Sequence, residues 1–211
     1  MESSRKNILA RLKAAQDKRG EIEVASPDFT SPIYLPLNES LSQEFKTNLE
    51  MIGGQVILCK LKSEIADHVK RICKEKDQDK IFCTDSILQE ILAGSIEIDS
   101  NENSFLGLNI GVTGCEFLVA HLGSVLISSA QISGRRLNVF PETHMVVAHQ
   151  SQLTTFLDDA LEKLQQKYKN ELPSLISNIT GPSRTADIEK TLVMGMHGPK
   201  SLIVLISEEP I

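Results

Sequence analysis

No two cysteines of this chain stand in a CxxC pair: Cys59, Cys73, Cys83 and Cys115 are spread singly, with no histidine near them at zinc-finger spacing. The usual zinc and iron–sulfur ligand sets are thereby excluded, so no metal and no cofactor is expected within this chain. Cys59 and Cys83 fall in apolar runs, where a free cysteine is a small core residue, and the thiols read as reduced and structural. No run approaches the roughly 18 to 20 apolar residues of a membrane span. The basic stretch SSRKNILARLKAAQDKR near the start lacks the continuous apolar segment of a signal peptide, so a cytoplasmic location is expected. Neither sign of charge dominates: 22 Lys and Arg face 28 Asp and Glu, a formal net charge of −6. With no basic recognition helix either, a nucleic-acid partner is not expected. Fixed-period repeats and low-complexity tracts are absent. So are the GxGxxG fingerprint, the GK[ST] P-loop, the GxSxG elbow and HExxH, which removes the familiar nucleotide-binding and hydrolase signatures.

What is present is ordinary globular material. Apolar residues make up 41% and charged residues 24% of 211 positions, enough for one sizeable core. Residues 3 to 19 set Ile8, Leu9 and Leu12 on one face, which predicts an amphipathic helix that docks on the body or on a partner. Residues 20 to 38 hold three prolines and no sustained period, an extended linker that separates this appendage from a domain over 39 to 211. Within that domain the pattern predicts helices at 40–52, 61–76, 86–93, 115–120, 151–168 and 184–193. Strands are predicted at 54–60, 79–84, 124–128, 144–149, 175–179 and 201–207, with Ser151 or Thr154 as the N-cap of the 151–168 helix. Alternation of this kind is the beat of an α/β fold, a mostly parallel sheet with flanking helices.

In an open parallel sheet, ligands bind where the chain leaves the carboxyl ends of the strands. Three segments fall there on this pattern: VTGCE at 112–116, SAQISGRRLN at 129–138 and TGPSR at 180–184. In the last, Gly181 permits unusual backbone geometry, Pro182 ends a strand ladder and Ser183 is a competent N-cap. Free amides at a helix start, together with Arg184, favour a carboxylate or phosphate. The plainer reading has Ser183 only capping, Arg184 paired with Asp187 and Glu189 facing water. In GVTG, Thr113 adds a hydroxyl beside Gly114, and Arg135 and Arg136 add charge on another loop. The expected anion site is Thr113, Gly114, Arg136, Gly181, Ser183 and Arg184, with His144 and Thr185 as further candidates and no catalytic residue assigned. His197 falls nominally at the opposite end of the sheet, where it reads as part of a helix C-cap.

The stretches TGPSRTADIEKTLVMGMHGPKSLIVLI, GVTGCEFLVAHLGSVLIS, GRRLNVFPETHMVVA and RKNILARLKAA together resemble the lactate utilization (LUD) domain family, most closely its C-type proteins. The resemblance runs over nearly the whole chain and is weakest between about 20 and 55. It implies a Rossmann-like fold of the deaminase, isomerase and CoA-transferase type. It further implies a role in oxidising L-lactate to pyruvate, with iron–sulfur clusters carried on partner proteins and a small organic anion such as lactate as ligand. Where the family commonly has an acidic residue and a threonine before a glycine, this chain has His121 and Leu122. An alternative on the same fold is a stand-alone enzyme acting on a phosphorylated or carboxylated metabolite, like the isomerases and the formyl-tetrahydrofolate cyclo-ligase. A purely structural partner is a third. If Thr113, Arg136 and Arg184 lie more than about 15 Å apart they cannot clamp one small anion, whose donors must be near hydrogen-bond distance.

Overall fold

The computed structural model describes residues 2–18, 26–31, 34, 36–37, 39–101, 109–169, 171–185 and 193–211. Met1–Pro36 and Leu37–Ile211 are two compact units. The first contains helix α1 (Glu2–Asp17), on which Ile8, Leu9 and Leu12 are all exposed.

The second unit is built on a six-stranded parallel sheet. Its strands are β1 (Gln55–Cys59), β2 (Lys80–Phe82), β3 (Glu97–Asp99), β4 (Ile110–Thr113), β7 (Thr143–His149) and β12 (Ser201–Ser207), in the spatial order β1-β12-β7-β4-β2-β3. Side chains alternate across a strand, so the central strands are apolar on both faces. Met145 and Val147 of β7 and Ile203 and Leu205 of β12 face helices α3 (Ser63–Glu75) and α4 (Ser86–Leu92), which bury Ile65, Val69, Ile72, Leu88 and Leu92 against them. Val146, Ala148, Leu202, Val204 and Ile206 face the other way, into a second core shared with Phe45 and Leu49 of helix α2 (Leu41–Met51). Ser40 caps α2 and Asp85 caps α4, the Asp85 Oδ1 accepting from Ile87 N at 3.0 Å and Leu88 N at 3.3 Å.

Covering that second face is a four-stranded sheet: β5 (Phe117–Val119), β6 (Ser124–Ser128), β8 (Leu153–Thr154) and β9 (Ile176–Ile179), in the order β8-β5-β6-β9. Helix α5 (Leu157–Lys167) lies on its outer side, burying Ala160 and Leu164 against Val119 and Leu126. The layers are therefore helix, parallel sheet, mixed sheet, helix.

Three local expectations are corrected and one unforeseen strand is added. Residues 117–119 are a strand rather than a helix, because they pair antiparallel with β6 through a tight 3-10 turn at Ala120–Leu122 that Gly123 closes with φ +59°. Helix α5 starts only at Leu157. Thr154 lies in β8 and sends its hydroxyl to Leu118 O, while Asp159 accepts from Phe156 N at 2.9 Å and caps the helix instead. The short strand β3, half polar and only three residues long, carried no strand signal. Finally, no helix begins at Arg184: strands β10 (Arg184–Thr185) and β11 (Val193–Met194) pair antiparallel, and residues 186–192, with Asp187 and Glu189, lie outside the described residues.

Candidate functional site

The parallel sheet reverses its winding between β2 and β4. After β2 the chain turns into α4 on the helical face; after β4 it turns into β5 on the other face. A crevice opens wherever neighbouring strands send their continuations to opposite sides, and ligands of open α/β sheets bind there. Two adjoining cavities occupy this switch point, lined by consecutive residues of the same two segments, Thr84–Asp85 after β2 and Gln131–Ile132 in the loop after β6.

The first cavity, about 250 Å³, is lined by Phe82, Thr84, Ile132, Ser133, Gly134, Arg135, Arg136 and Leu137. Two of these residues are exposed arginines. Arg135 also donates to Ser174 Oγ at 2.5 Å, and Arg136 lies 5.4 Å over the Phe140 ring. Among the described residues, the buried hydroxyls of Thr84 and Ser133 have no hydrogen-bond partner. Buried polar groups are rarely left so, and a pair of them in one cavity beside two cations marks a place for an acceptor. The second cavity, about 350 Å³, has Asp85, Gly114, Gln131, His149 and Ser151 in its walls. A Cβ at Gly114 would come within 4.0 Å of Asp85 Oδ2 and 3.9 Å of Gln131 Nε2. His149 accepts from Ser151 N at 3.3 Å on Nδ1, so its other nitrogen carries the proton and donates to Glu208 O at 3.2 Å.

The expected anion site divides into two groups. Arg136 and Gly114 are at the switch point. Thr113, immediately before Gly114, is wholly buried: its hydroxyl donates to Gly114 O at 2.9 Å and lies 2.8 Å from His144 Nε2, leaving it no reach to a ligand. Gly181, Ser183, Arg184 and Thr185 are elsewhere. The Arg184 guanidinium donates to Ile52 O, at the turn just before β1, and Gly181, with φ +85°, packs on the same Ile52. Ser183 N donates to Pro199 O at 2.9 Å, and Gly198 packs on the Ser183 side chain, so His197, Gly198 and Pro199 belong with TGPSR at the amino end of the sheet. They were expected at opposite ends. Strand β9 explains the difference: it leaves the parallel sheet and pairs with β6. Arg184, at the turn before β1, and Thr113, at the carboxyl end of β4, lie at opposite ends of the parallel sheet and three strand positions apart, so they do not hold one small anion. His121 is also remote from the switch point, in the 3-10 turn, 5.3 Å from the Phe156 ring.

Comparison with known proteins decides the family. A family model described as the LUD domain matches residues 92–207, from the end of α4 to the end of β12. The chain belongs to the LUD domain family. Relatives include an uncharacterized Escherichia coli protein, YkgG, 32% identical over 173 residues, covering 72% of this chain and 73% of that protein. Lactate utilization protein C of Bacillus subtilis is 36% identical over 103 residues, 47% of this chain and 43% of that protein. The aligned segment thus spans less than half of that relative. A solved structure of a DUF162 family protein from Deinococcus radiodurans superposes with a TM-score of 0.60 at 15% identity, covering 79% of this chain and 96% of that one, and shares the fold.

Three further features of the LUD domain bear on its chemistry. Its four cysteines are buried and unpaired. Burial pushes the thiols of Cys59, Cys73 and Cys83 up to about 11, and that of Cys115 higher still, so none is a thiolate at neutral pH. Among the described residues no group of three or more His, Cys, Asp or Glu is placed to hold a metal ion, and no helix is long and apolar enough to cross a membrane. His144 is the third. With the Thr113 hydroxyl donating to Gly114 O, His144 Nε2 must be the donor to Thr113, and Nδ1 is a buried acceptor with no partner among the described residues. Burial depresses its pKa from 6.5 to about 4. The unfolded chain therefore binds a proton that the folded one refuses between those values. Stability is complete above pH 6.5 and falls as the pH drops, by about 2 kcal/mol at pH 5. Urea titrations at pH 7 and pH 5 should show that loss, and His144→Leu should remove most of the slope.

Sequence reasoning missed Thr84, Ser133 and Glu116. Glu116 is buried under β6 and accepts from Lys167 Nζ at 2.7 Å, Ser128 Oγ at 2.6 Å and Tyr168 OH at 2.8 Å. Burial alone would push its pKa up, but these three donors outweigh it and hold the carboxyl below its ordinary value. The only signal was an acid directly after a strand–glycine turn.

Proposed function

We propose that this LUD domain is a subunit of a cytoplasmic assembly that oxidises L-lactate to pyruvate, working with iron–sulfur partner proteins that carry the electrons. Its own contribution is an organic-anion pocket at the β2–β4 switch point and a surface for assembly. The observation that carries the pocket is the pair of unpartnered hydroxyls, Thr84 and Ser133, lining one cavity with Arg135 and Arg136. The two arginines are exposed, so they attract an anion through solvent-screened charge, and the hydroxyls would orient it once side chains shift to uncover them. Membership of the LUD family and the names of relatives called lactate utilization protein C support the metabolic setting.

Reconstitution tests the subunit role. The purified chain and its iron–sulfur partners, mixed and separate, are assayed for lactate-dependent dye reduction; full activity without this chain would overturn the proposal. In the complete mixture an Arg135→Gln/Arg136→Gln variant should lose activity about tenfold or more, because charge-assisted bonds to an anion contribute roughly 1.5–3 kcal/mol each. An unchanged rate would remove the pocket from the function.

A further inference from the structure

We infer that Asp85 makes the switch-point site selective for a hydroxy acid over the corresponding oxo acid, by accepting a hydrogen bond from the ligand's hydroxyl over Gly114. This rests on reading the switch point as an organic-anion site, and it names which member of a hydroxy–oxo pair that site holds. Other polar groups lining the second cavity are already paired: His149 with Glu208 O and Ser151, and Gln152 Nε2 with Cys115 O at 2.7 Å. Asp85 and Gln131 are only half committed. Asp85 Oδ1 accepts from Ile87 N and Leu88 N, and Gln131 Oε1 accepts from Ser128 N at 3.1 Å, which turns the Gln131 amide nitrogen outward. The second atom of each, Asp85 Oδ2 and Gln131 Nε2, is not sealed in the interior, unlike the hydroxyls of Thr84 and Ser133.

Both atoms converge on Gly114. Chain neighbours apart, Gln131 Nε2 at 3.9 Å and Asp85 Oδ2 at 4.0 Å are the nearest atoms to the point where a Cβ would stand on this glycine. Gly114 has no left-handed φ, so the backbone does not demand glycine there; what the missing side chain leaves is room. A group seated in that room faces an acceptor and a donor at once, which a hydroxyl satisfies because one oxygen donates and accepts. It needs a shift of about 1 Å to reach hydrogen-bond distance of both, the tightening that polar contacts undergo when a ligand closes on an open site. A ketone oxygen in the same place has only lone pairs to turn toward Asp85 Oδ2, and the two acceptors repel. The same carboxylate turns the ligand's own carboxylate away, toward the neighbouring cavity whose lining includes Arg135 and Arg136.

L-lactate and pyruvate, equal in charge and close in size, isolate this contact. In NMR titrations of the full chain, lactate should bind about tenfold or more tightly than pyruvate, the range of one hydrogen bond to a charged group. Asp85→Asn keeps the oxygen that caps α4 and puts an amide N–H in place of Oδ2, so the preference should vanish or invert. Gly114→Ala brings its methyl only into ordinary contact with Asp85 and Gln131, so by circular dichroism it should fold like the parent, yet it fills the room and should lose the lactate preference. If the parent binds lactate and pyruvate equally, or Asp85→Asn leaves their ratio unchanged, the role of Asp85 is overturned while the anion site stands. If neither binds, both are overturned.

Discussion

Replacing Gly123 with alanine is expected to destabilise the larger unit by about 4 kcal/mol and to lower its melting temperature by about 10 °C. Two costs add. Gly123 sits at φ +59°, a left-handed conformation that costs a residue with a Cβ roughly 1–2 kcal/mol. The new methyl would also come within 2.3 Å of Leu49 N, 2.6 Å of Asn48 C and 2.7 Å of Leu49 Cα, all backbone atoms of α2 that cannot swing aside. Overpacking of that kind adds about 1–3 kcal/mol. The helix is held in place there, since Asn48 donates from Nδ2 to Ala120 O at 2.9 Å and His121 O at 3.3 Å, so relief would break those bonds. Gly94 is the control, with φ +74° and no atom within 4 Å of an added Cβ. Its alanine variant should lose only about 1 kcal/mol. Equal midpoint shifts for the two variants in urea would show that the contact with α2 has no energetic weight.

Glu116→Ala should cost about 2 kcal/mol, mainly by removing the acceptor of a buried hydroxyl. The carboxylate side chain is wholly buried, whereas Lys167 is about half exposed (54%), so solvent weakens the ion pair itself. Most of the loss comes from stranding the buried Ser128 hydroxyl, since Tyr168 is only part-buried and its hydroxyl can turn to water. Glu116→Gln keeps an acceptor for them and should cost about half as much. Because the folded carboxyl titrates below its ordinary value, its stabilisation is complete above pH 4.5 and disappears as the pH falls through the folded value. The acid limb of the stability profile should therefore have two parts, His144 from pH 6.5 downward and Glu116 below it. A Glu116→Ala variant as stable as the parent at pH 7 would mean that the cluster is dispensable.

The elements that could be read from the chain are those whose burial is written in consecutive residues. VVA in β7, LIVLI in β12 and the Ile65, Val69, Ile72 stripe of α3 each fix one element and its orientation. The elements that could not be read depend on partners distant in sequence. FLV at 117–119 is a strand only because SVLIS folds back on it, and GPSR is not a helix start because Ser183 gives its backbone groups to Pro199 and Gly195. The site follows the same division. Arg136 and Gly114 lie near the carboxyl ends as strand order suggests, but Thr84 and Ser133 look like ordinary loop hydroxyls until a cavity encloses them. Arg184 donates to the Ile52 carbonyl at the amino end of the sheet, a placement that follows from β9 pairing with β6 outside the parallel sheet and that strand order alone does not reveal.

Strand β12 lies between β1 and β7, in parallel register with both, Ile203 beside Gln55 and Met145. The first and the last strand of the parallel sheet in chain order are thus neighbours, and a chain emerging from the ribosome has no lateral partner for β1 until residues 201–207 appear. Pairing of such sequence separation is slow, since a long loop must close before any contact rewards it. During that wait the apolar edges of β1 and β7 stand open, and early release of the chain would yield an adhesive intermediate in place of a smaller stable domain. The domain folds as a unit only when its final strand is inserted as the keystone.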